Sequence, residues 1–125
     1  MIRILVVDDS AFMRKVITDL IAKMPGTELA GVARNGKAAV DFVKADSELD
    51  LVLMDVEMPL LNGLEALKQI KQFSSVPVVM LSALTNQEVT IEALEPGATD
   101  FVEKPTNIMA IKDDWIREFF AKIKA

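Results

Sequence analysis

Asp8 and Asp9 directly follow the apolar run Ile4-Leu5-Val6-Val7, Asp55 follows Leu51-Val52-Leu53-Met54, and Lys104 lies just beyond the stretch Thr99–Val102. If these runs are neighbouring parallel strands, three carboxylates and one ammonium meet at one sheet edge. That set suits Mg2+ and phosphoryl chemistry rather than a binding groove or a hydrolytic triad. Asp55 can act as a nucleophile toward phosphorus and form an acyl phosphate. The plainer reading, a loop aspartate capping the next helix, is weakened because Asp55 lies well ahead of Gly63, which opens that helix.

Asp8 and Asp9 stand before a helix, where either could accept hydrogen bonds from its first amides, although Ser10 is an adequate cap too. Three unneutralised carboxylates repel one another, and a hard divalent cation resolves that repulsion. Mg2+ prefers oxygen ligands in octahedral geometry and keeps waters or phosphate oxygens in its shell. The expected protein ligands are Asp9 and Asp55 directly, Asp8 directly or through water, and the main-chain carbonyl of Glu57. Lys104 could neutralise phosphoryl oxygens as a compact charge, or be a surface lysine before the turn residue Pro105. Ser82 could donate its hydroxyl to a phosphoryl oxygen, or merely satisfy its turn, and the small Ala83 would leave room for an incoming group.

The chain has no histidine, which removes Ser-His-Asp catalysis, His-ligated metals and phosphohistidine chemistry of its own. Any histidine in the reaction belongs to a partner. No Gly-x-Gly-x-x-Gly or Gly-Lys-Ser/Thr cradle is present. A net charge of −5 argues against nucleic acid as a partner, because phosphate neutralisation needs basic residues. No window approaches ~18 apolar residues, so no membrane insertion is expected, and the absence of cysteine fits a cytoplasmic protein.

The 125 residues read as one domain, with a core over 1–107 and a final helix over about 108–124 that could lead into a domain absent from this chain. Strands are expected at Ile2–Val7, Glu28–Ala33, Leu51–Met54, Val76–Leu81 and Thr99–Val102. The first, third and fourth are continuously apolar, as in parallel strands covered on both faces. Helical periodicity spans Phe12 to Ile21, stopped by Pro25-Gly26, then Gly36–Ala45, Gly63–Gln72 and Gln87–Glu95, with a last helix somewhere within Asn107–Lys124. Asn62 and Asn86 are candidate N-caps. This βαβ rhythm indicates an open α/β sheet with helices on both faces and ligands beyond the carboxyl ends of its strands.

On these residues the chain resembles the receiver domain of two-component response regulators. The likeness runs from Ile2 to about Asn107. It rests on Val-Val-Asp-Asp-Ser (6–10), Met-Asp-Val-Glu-Met-Pro with Asn-Gly (54–63), Pro-Val-Val-Met-Leu-Ser-Ala (77–83) and Gly-Ala-x-Asp-Phe-Val-x-Lys-Pro (97–105). The resemblance implies a flavodoxin-like, CheY-like (βα)5 doubly wound fold, with a five-stranded parallel sheet in order 2-1-3-4-5. It makes Asp55 the phosphoacceptor, Asp8 and Asp9 the Mg2+ carboxylates, and Lys104 with Ser82 the phosphate-sensing pair. Phe101 takes the place of the family's usual switch tyrosine, so it either switches only by packing or is a permanent core residue.

Asp-Ser-Ala-Phe-Met-Arg (9–14), Asp-Val-Glu-Met-Pro, Leu-Ser-Ala-Leu-Thr and Asp-Phe-Val-Glu-Lys-Pro resemble the regulatory domain of chemotaxis protein-glutamate methylesterases. The implied partners are a sensor histidine kinase as phosphohistidine donor and an output protein or C-terminal effector domain, met through the face of the fourth helix, fifth strand and last helix. Ile111, Trp115, Phe119 and Ile123, flanked by Ile116 and Phe120, make a wide apolar stripe on that last helix. The stripe either serves the core alone or also meets another domain or a second copy in a homodimer. Two other readings stand beside the phosphorylation switch. One is a Mg2+-dependent phosphohydrolase with an aspartyl nucleophile. The other is an interaction module that is never phosphorylated.

Overall fold

Continuous apolar runs can be satisfied only where both faces of a sheet are covered, and that is how the chain folds. The computed structural model describes residues 1–56, 58, 61–82, 100–103 and 113–124, with backbone alone for Ser82, Asp100, Phe101, Glu103 and Lys124. In chain order these form β1 (Ile2–Val7), α1 (Ala11–Lys23), β2 (Thr27–Ala33), α2 (Gly36–Ala45), β3 (Leu51–Asp55), α3 (Gly63–Lys71), β4 (Val78–Ser82), β5 (Asp100–Glu103) and a C-terminal helix (Asp113–Lys124). The strands make one parallel sheet in order β2-β1-β3-β4-β5, the doubly wound order that the resemblance implies. The helix expected at Gln87–Glu95 and its cap Asn86 lie outside the described residues, as does Ile111.

Side-chain alternation along the strands divides the core in two. Leu5, Val7, Val52, Met54 and Met80 pack with Ala39 and Val40 of α2 and Leu67 and Ile70 of α3. Ile4, Val6, Leu53, Val79 and Leu81 pack on the other side with Ile17 and Ile21 of α1 and Phe119 and Ile123 of the C-terminal helix. On that helix Trp115 stacks on the buried Phe119 with ring centroids 5.2 Å apart, and Trp115, Ile116 and Phe120 pack partly buried against the same cluster. The apolar stripe therefore faces the core over most of its described width.

Several boundaries differ from the sequence reading, each for a local reason. β4 begins at Val78 rather than Val76, because Pro77 has no N–H to give the ladder; its carbonyl still accepts from Val52 N–H at 2.9 Å. β2 begins one residue early at Thr27, whose hydroxyl donates to the carbonyls of Ile21 and Met24 and ties the end of α1 to the strand. β3 runs one residue further, so Asp55 is the last strand residue, paired with Leu81, rather than the first residue of a loop. Ser82 likewise belongs to β4, and β5 ends at Glu103 rather than Val102. α3 stops at Lys71, with Gln72 as its C-cap.

At the opposite end of the sheet Arg3 ties β1 to the end of α2. Its Nη1 lies 2.9 Å from Asp46 Oδ2, and its Nε 3.5 Å from Glu28 Oε1. The Arg3 hydrogen bond, helped by the Glu48 N–H, holds the Asp46 carboxyl below the usual aspartate value. A lowered folded value means stability that is present above the ordinary value near 4 and is lost as pH falls through the folded one. Asp46→Asn is thus expected to destabilise the protein at neutral pH and to converge on wild type in strong acid, as urea unfolding across pH would read.

Candidate functional site

Strand register is what brings the acidic residues together. Val7 pairs with Met54 across β1 and β3, so the residues that follow them, Asp8 and Asp55, stand side by side at the carboxyl end of the sheet. Asp8, Asp9 and Asp55 each offer a carboxylate oxygen, and these oxygens lie within 4.8 Å of one another. Asp8 is fully buried and Asp55 4% exposed, while Asp9 is open to solvent.

The Asp8-Asp9 turn is held from several directions. Asp8 N–H donates to Ala33 O on β2 at 3.1 Å, extending the ladder by one bond. Ser10 N–H donates to Asp8 Oδ1 at 2.8 Å, and the Arg14 guanidinium Nη1 donates to the Asp8 main-chain oxygen at 2.8 Å. The N-cap of α1 is Ser10, whose hydroxyl accepts from Met13 N–H. Capping therefore does not explain Asp8 or Asp9, and neither carboxylate is spent on the first turn of the helix in the usual cap geometry.

On the other side Asp55 is backed by α3. Gly63 N–H donates to Val56 O at 2.7 Å, and a Cβ at Gly63 would overlap the Asp55 main-chain oxygen and stand 2.9 Å from Val56 Cα. Only glycine lets the helix start this close to the strand end. Gly36 makes a second such approach: its N–H donates to Leu61 O at 2.9 Å, and a Cβ there would overlap that oxygen. The N-termini of α2 and α3 thereby clamp the connection that follows Asp55. Asn35 and Asn62 cap these helices, accepting from Ala38 N–H and Glu65 N–H. Neither Gly36, Gly63 nor Asn35 was singled out for the site by sequence, although two Asn-Gly pairs before helices were a visible signal.

Of the other sequence candidates, Lys104 and Glu57 lie outside the described residues. Ser82 and Phe101 are placed by backbone only: Ser82 pairs with Glu103 and Met80 with Phe101. Ser82 follows Leu81, the partner of Asp55, so its backbone stands one step beyond Asp55 on the adjoining strand.

The donors gathered here are all carboxylate oxygens, two of the three groups are buried, and nothing soft is among them. That set fits a hard divalent cation with oxygen preference, such as Mg2+, and does not suit thiophilic or imidazole-seeking metals. Among the described residues no helix is long and apolar enough to cross a membrane.

Comparison with known proteins agrees. The model of the response regulator receiver domain matches residues 4–114. A protein-glutamate methylesterase/protein-glutamine glutaminase from Pyrococcus abyssi is 50% identical over 98% of this chain, and the chain spans only 34% of that relative's length. The crystal structure of the response regulator domain of Thermotoga maritima CheB superposes with a TM-score of 0.87 at 43% identity, covering 99% of this chain and 94% of that one. A chain from the CheX-CheY-BeF3-Mg complex of Borrelia burgdorferi gives 0.84 at 28% identity, covering 97% and 85%. A family model over most of the chain, with a relative this similar across nearly all of it, means that the chain belongs to the response regulator receiver domain family.

Proposed function

We propose that this receiver domain accepts a phosphoryl group on Asp55 from the phosphohistidine of a partner kinase, with Mg2+ at the acidic edge. The observation that carries this reading is the convergence of Asp8, Asp9 and Asp55 within 4.8 Å at the end of buried strands. An Asp55 carboxylate oxygen attacks phosphorus in line, the P–N bond to the donor imidazole breaks, and the electron pair stays on that nitrogen, which is protonated in turn. The bound cation offsets the charge of the carboxylates and of the phosphoryl oxygens. The three carboxylates lie close enough to share one cation; in this reading Asp9 and Asp55 would be direct ligands, Asp8 would act directly or through water, and the Glu57 carbonyl would add a further oxygen. That a relative of this fold forms a complex containing Mg2+ supports the choice of cation.

In this reading Lys104 and Ser82 contact the phosphoryl oxygens and Phe101 answers by repacking. The acyl phosphate adds roughly two negative charges, which bias the face of the fourth helix, β5 and the C-terminal helix between two packings. The output is a methylesterase effector, as the names of the longer relatives suggest, acting in chemotaxis signalling, and the location is cytoplasmic. The whole chain then serves as a single regulatory domain. Membership of this family favours neither a phosphohydrolase nor a phosphorylation-independent module.

Incubation with a small acyl phosphate and Mg2+ tests the proposal. Intact mass spectrometry is expected to show one phosphoryl group, and none when the cation is chelated before the donor is added. A chain that stays unmodified, or is modified equally well without a divalent cation, would sink the reading.

A further inference from the structure

The Asp8–Asp9 peptide is the one backbone unit that aims two of the three carboxylates, and its carbonyl lies beyond the last paired residues of β1, Val7 with Ala33 and Met54. A buried carbonyl at that point needs a donor from outside the sheet. Arg14 supplies it: Nη1 reaches the Asp8 oxygen at 2.8 Å from the first turns of α1. Helical side chains lean toward the N-terminus, so this position on α1 is well placed to reach back over the turn that precedes the helix. Arg14 is itself anchored, since its N–H donates to Ser10 O at 3.0 Å in the turn that Ser10 caps. The acidic turn, the cap and the guanidinium thus form one unit.

Two opposite effects on a cation follow from this placement. As a positive charge beside the acidic edge, Arg14 repels Mg2+ and weakens its binding. As a donor to the Asp8 carbonyl, it fixes the peptide plane and keeps the exposed Asp9 carboxylate gathered with the buried Asp8 and Asp55, which strengthens binding. Asp9 is the group that most needs such help, because nothing buries it. The cation's own charge is offset by three carboxylates at closer range, so orientation outweighs repulsion.

We infer that Arg14 is a positioning residue for the cation, locking the Asp8–Asp9 peptide so that both carboxylates stay directed at the site beside Asp55. The inference rests on the Mg2+ reading given above.

Calorimetric Mg2+ titration of the full chain, with no phosphodonor, compares wild type with Arg14→Ala and Arg14→Lys. Arg14→Ala is expected to bind Mg2+ about tenfold more weakly, the usual scale for removing a partner that orients a ligand. Arg14→Lys, which keeps a long cationic donor, is expected to recover most of that loss. At saturating Mg2+, phosphoryl acceptance by Arg14→Ala is expected to return to within about twofold of wild type, whereas general damage to the fold would lower it at every Mg2+ concentration. Tighter binding by Arg14→Ala would mean that Arg14 is only a repelling charge, and would overturn the inference. Unchanged binding, or a Lys variant as weak as the Ala variant, would overturn it too. Absence of Mg2+ binding by wild type would instead remove the metal reading, and this inference with it.

Discussion

Asp55→Asn is expected to abolish phosphoryl acceptance and, in Mg2+-free buffer, to raise the melting temperature by roughly 3–5 °C. The amide keeps the shape of the carboxylate but has no anionic oxygen to attack phosphorus, so incorporation falls to the background of the assay. The stability change follows from charge. Three carboxylate oxygens lie within 4.8 Å of one another, two of the groups being buried. Unit charges at that separation repel by about 3 kcal/mol at an effective dielectric constant near 20. The exposed Asp9 is screened, and Asp55 gives up its own native interactions on substitution, so a net gain of about 1 kcal/mol remains. Mg2+ reverses the order: wild type is stabilised by a cation that binds only the folded chain, and the variant much less. Thermal unfolding with and without Mg2+ reads both halves. A variant less stable without the metal would show that the carboxylates do not repel in the free state, and one equally stabilised by it would show that Asp55 does not hold the cation.

Gly63→Ala carries the second large effect. The added methyl would overlap the main-chain oxygen of Asp55 and stand 2.9 Å from Val56 Cα, and both neighbours are backbone. No rotamer change relieves such a contact, so α3 must move off the strand end and lengthen its 2.7 Å hydrogen bond from Gly63 N–H to Val56 O. Inserting a methyl into a filled site commonly costs about 1–3 kcal/mol, and a contact with backbone on both sides belongs at the upper end. Asp55 shifts with its peptide, so phosphoryl acceptance at a fixed Mg2+ concentration is expected to fall at least about tenfold, since a misplacement of about 1 Å can reduce rates a hundredfold. Gly31→Ala is the control. Its methyl would meet only the end of the Phe42 ring, at 2.5 and 2.6 Å, and that side chain can turn away. It should lose less stability and keep acceptance near wild type. Denaturant unfolding and acceptance rates on the two variants separate the cases.

Much of the fold was legible because the strongest signals were also the structural ones. Ile4–Val7 and Leu51–Met54 are buried on both faces, so their continuous apolar runs identified parallel strands and, with them, the residues at the strand ends. The helix at Gly36–Ala45 matched to the residue, because its apolar period and its Asn-Gly start agree. Edges were less clear. Gly31 in an exposed strand marks the register shift between Ile4 and Leu5, yet the same residue carries no pattern that fixes where β2 begins.

The acidic cluster was legible for a different reason: residues at the carboxyl ends of adjacent parallel strands must meet if the register is even. The contacts that hold it were not legible. Arg14 reads as an ordinary partly exposed helical arginine, and Gly63 as an ordinary helix start, until the strand that each one touches is in place. Asp55 also reads as a loop residue by sequence, because nothing in Asp-Val-Glu-Met-Pro says that its backbone still pairs with Leu81.

The most direct test asks where the phosphoryl group lands. Wild-type chain is treated with a small acyl phosphate and Mg2+, then with borohydride, which reduces an acyl phosphate on aspartate to homoserine, and the digest is sequenced by tandem mass spectrometry. The expected result is homoserine at position 55 alone, absent when Mg2+ is chelated. Conversion at Asp8, Asp9 or any other carboxylate, or none at all under conditions where Mg2+ binds, would contradict Asp55 as the acceptor.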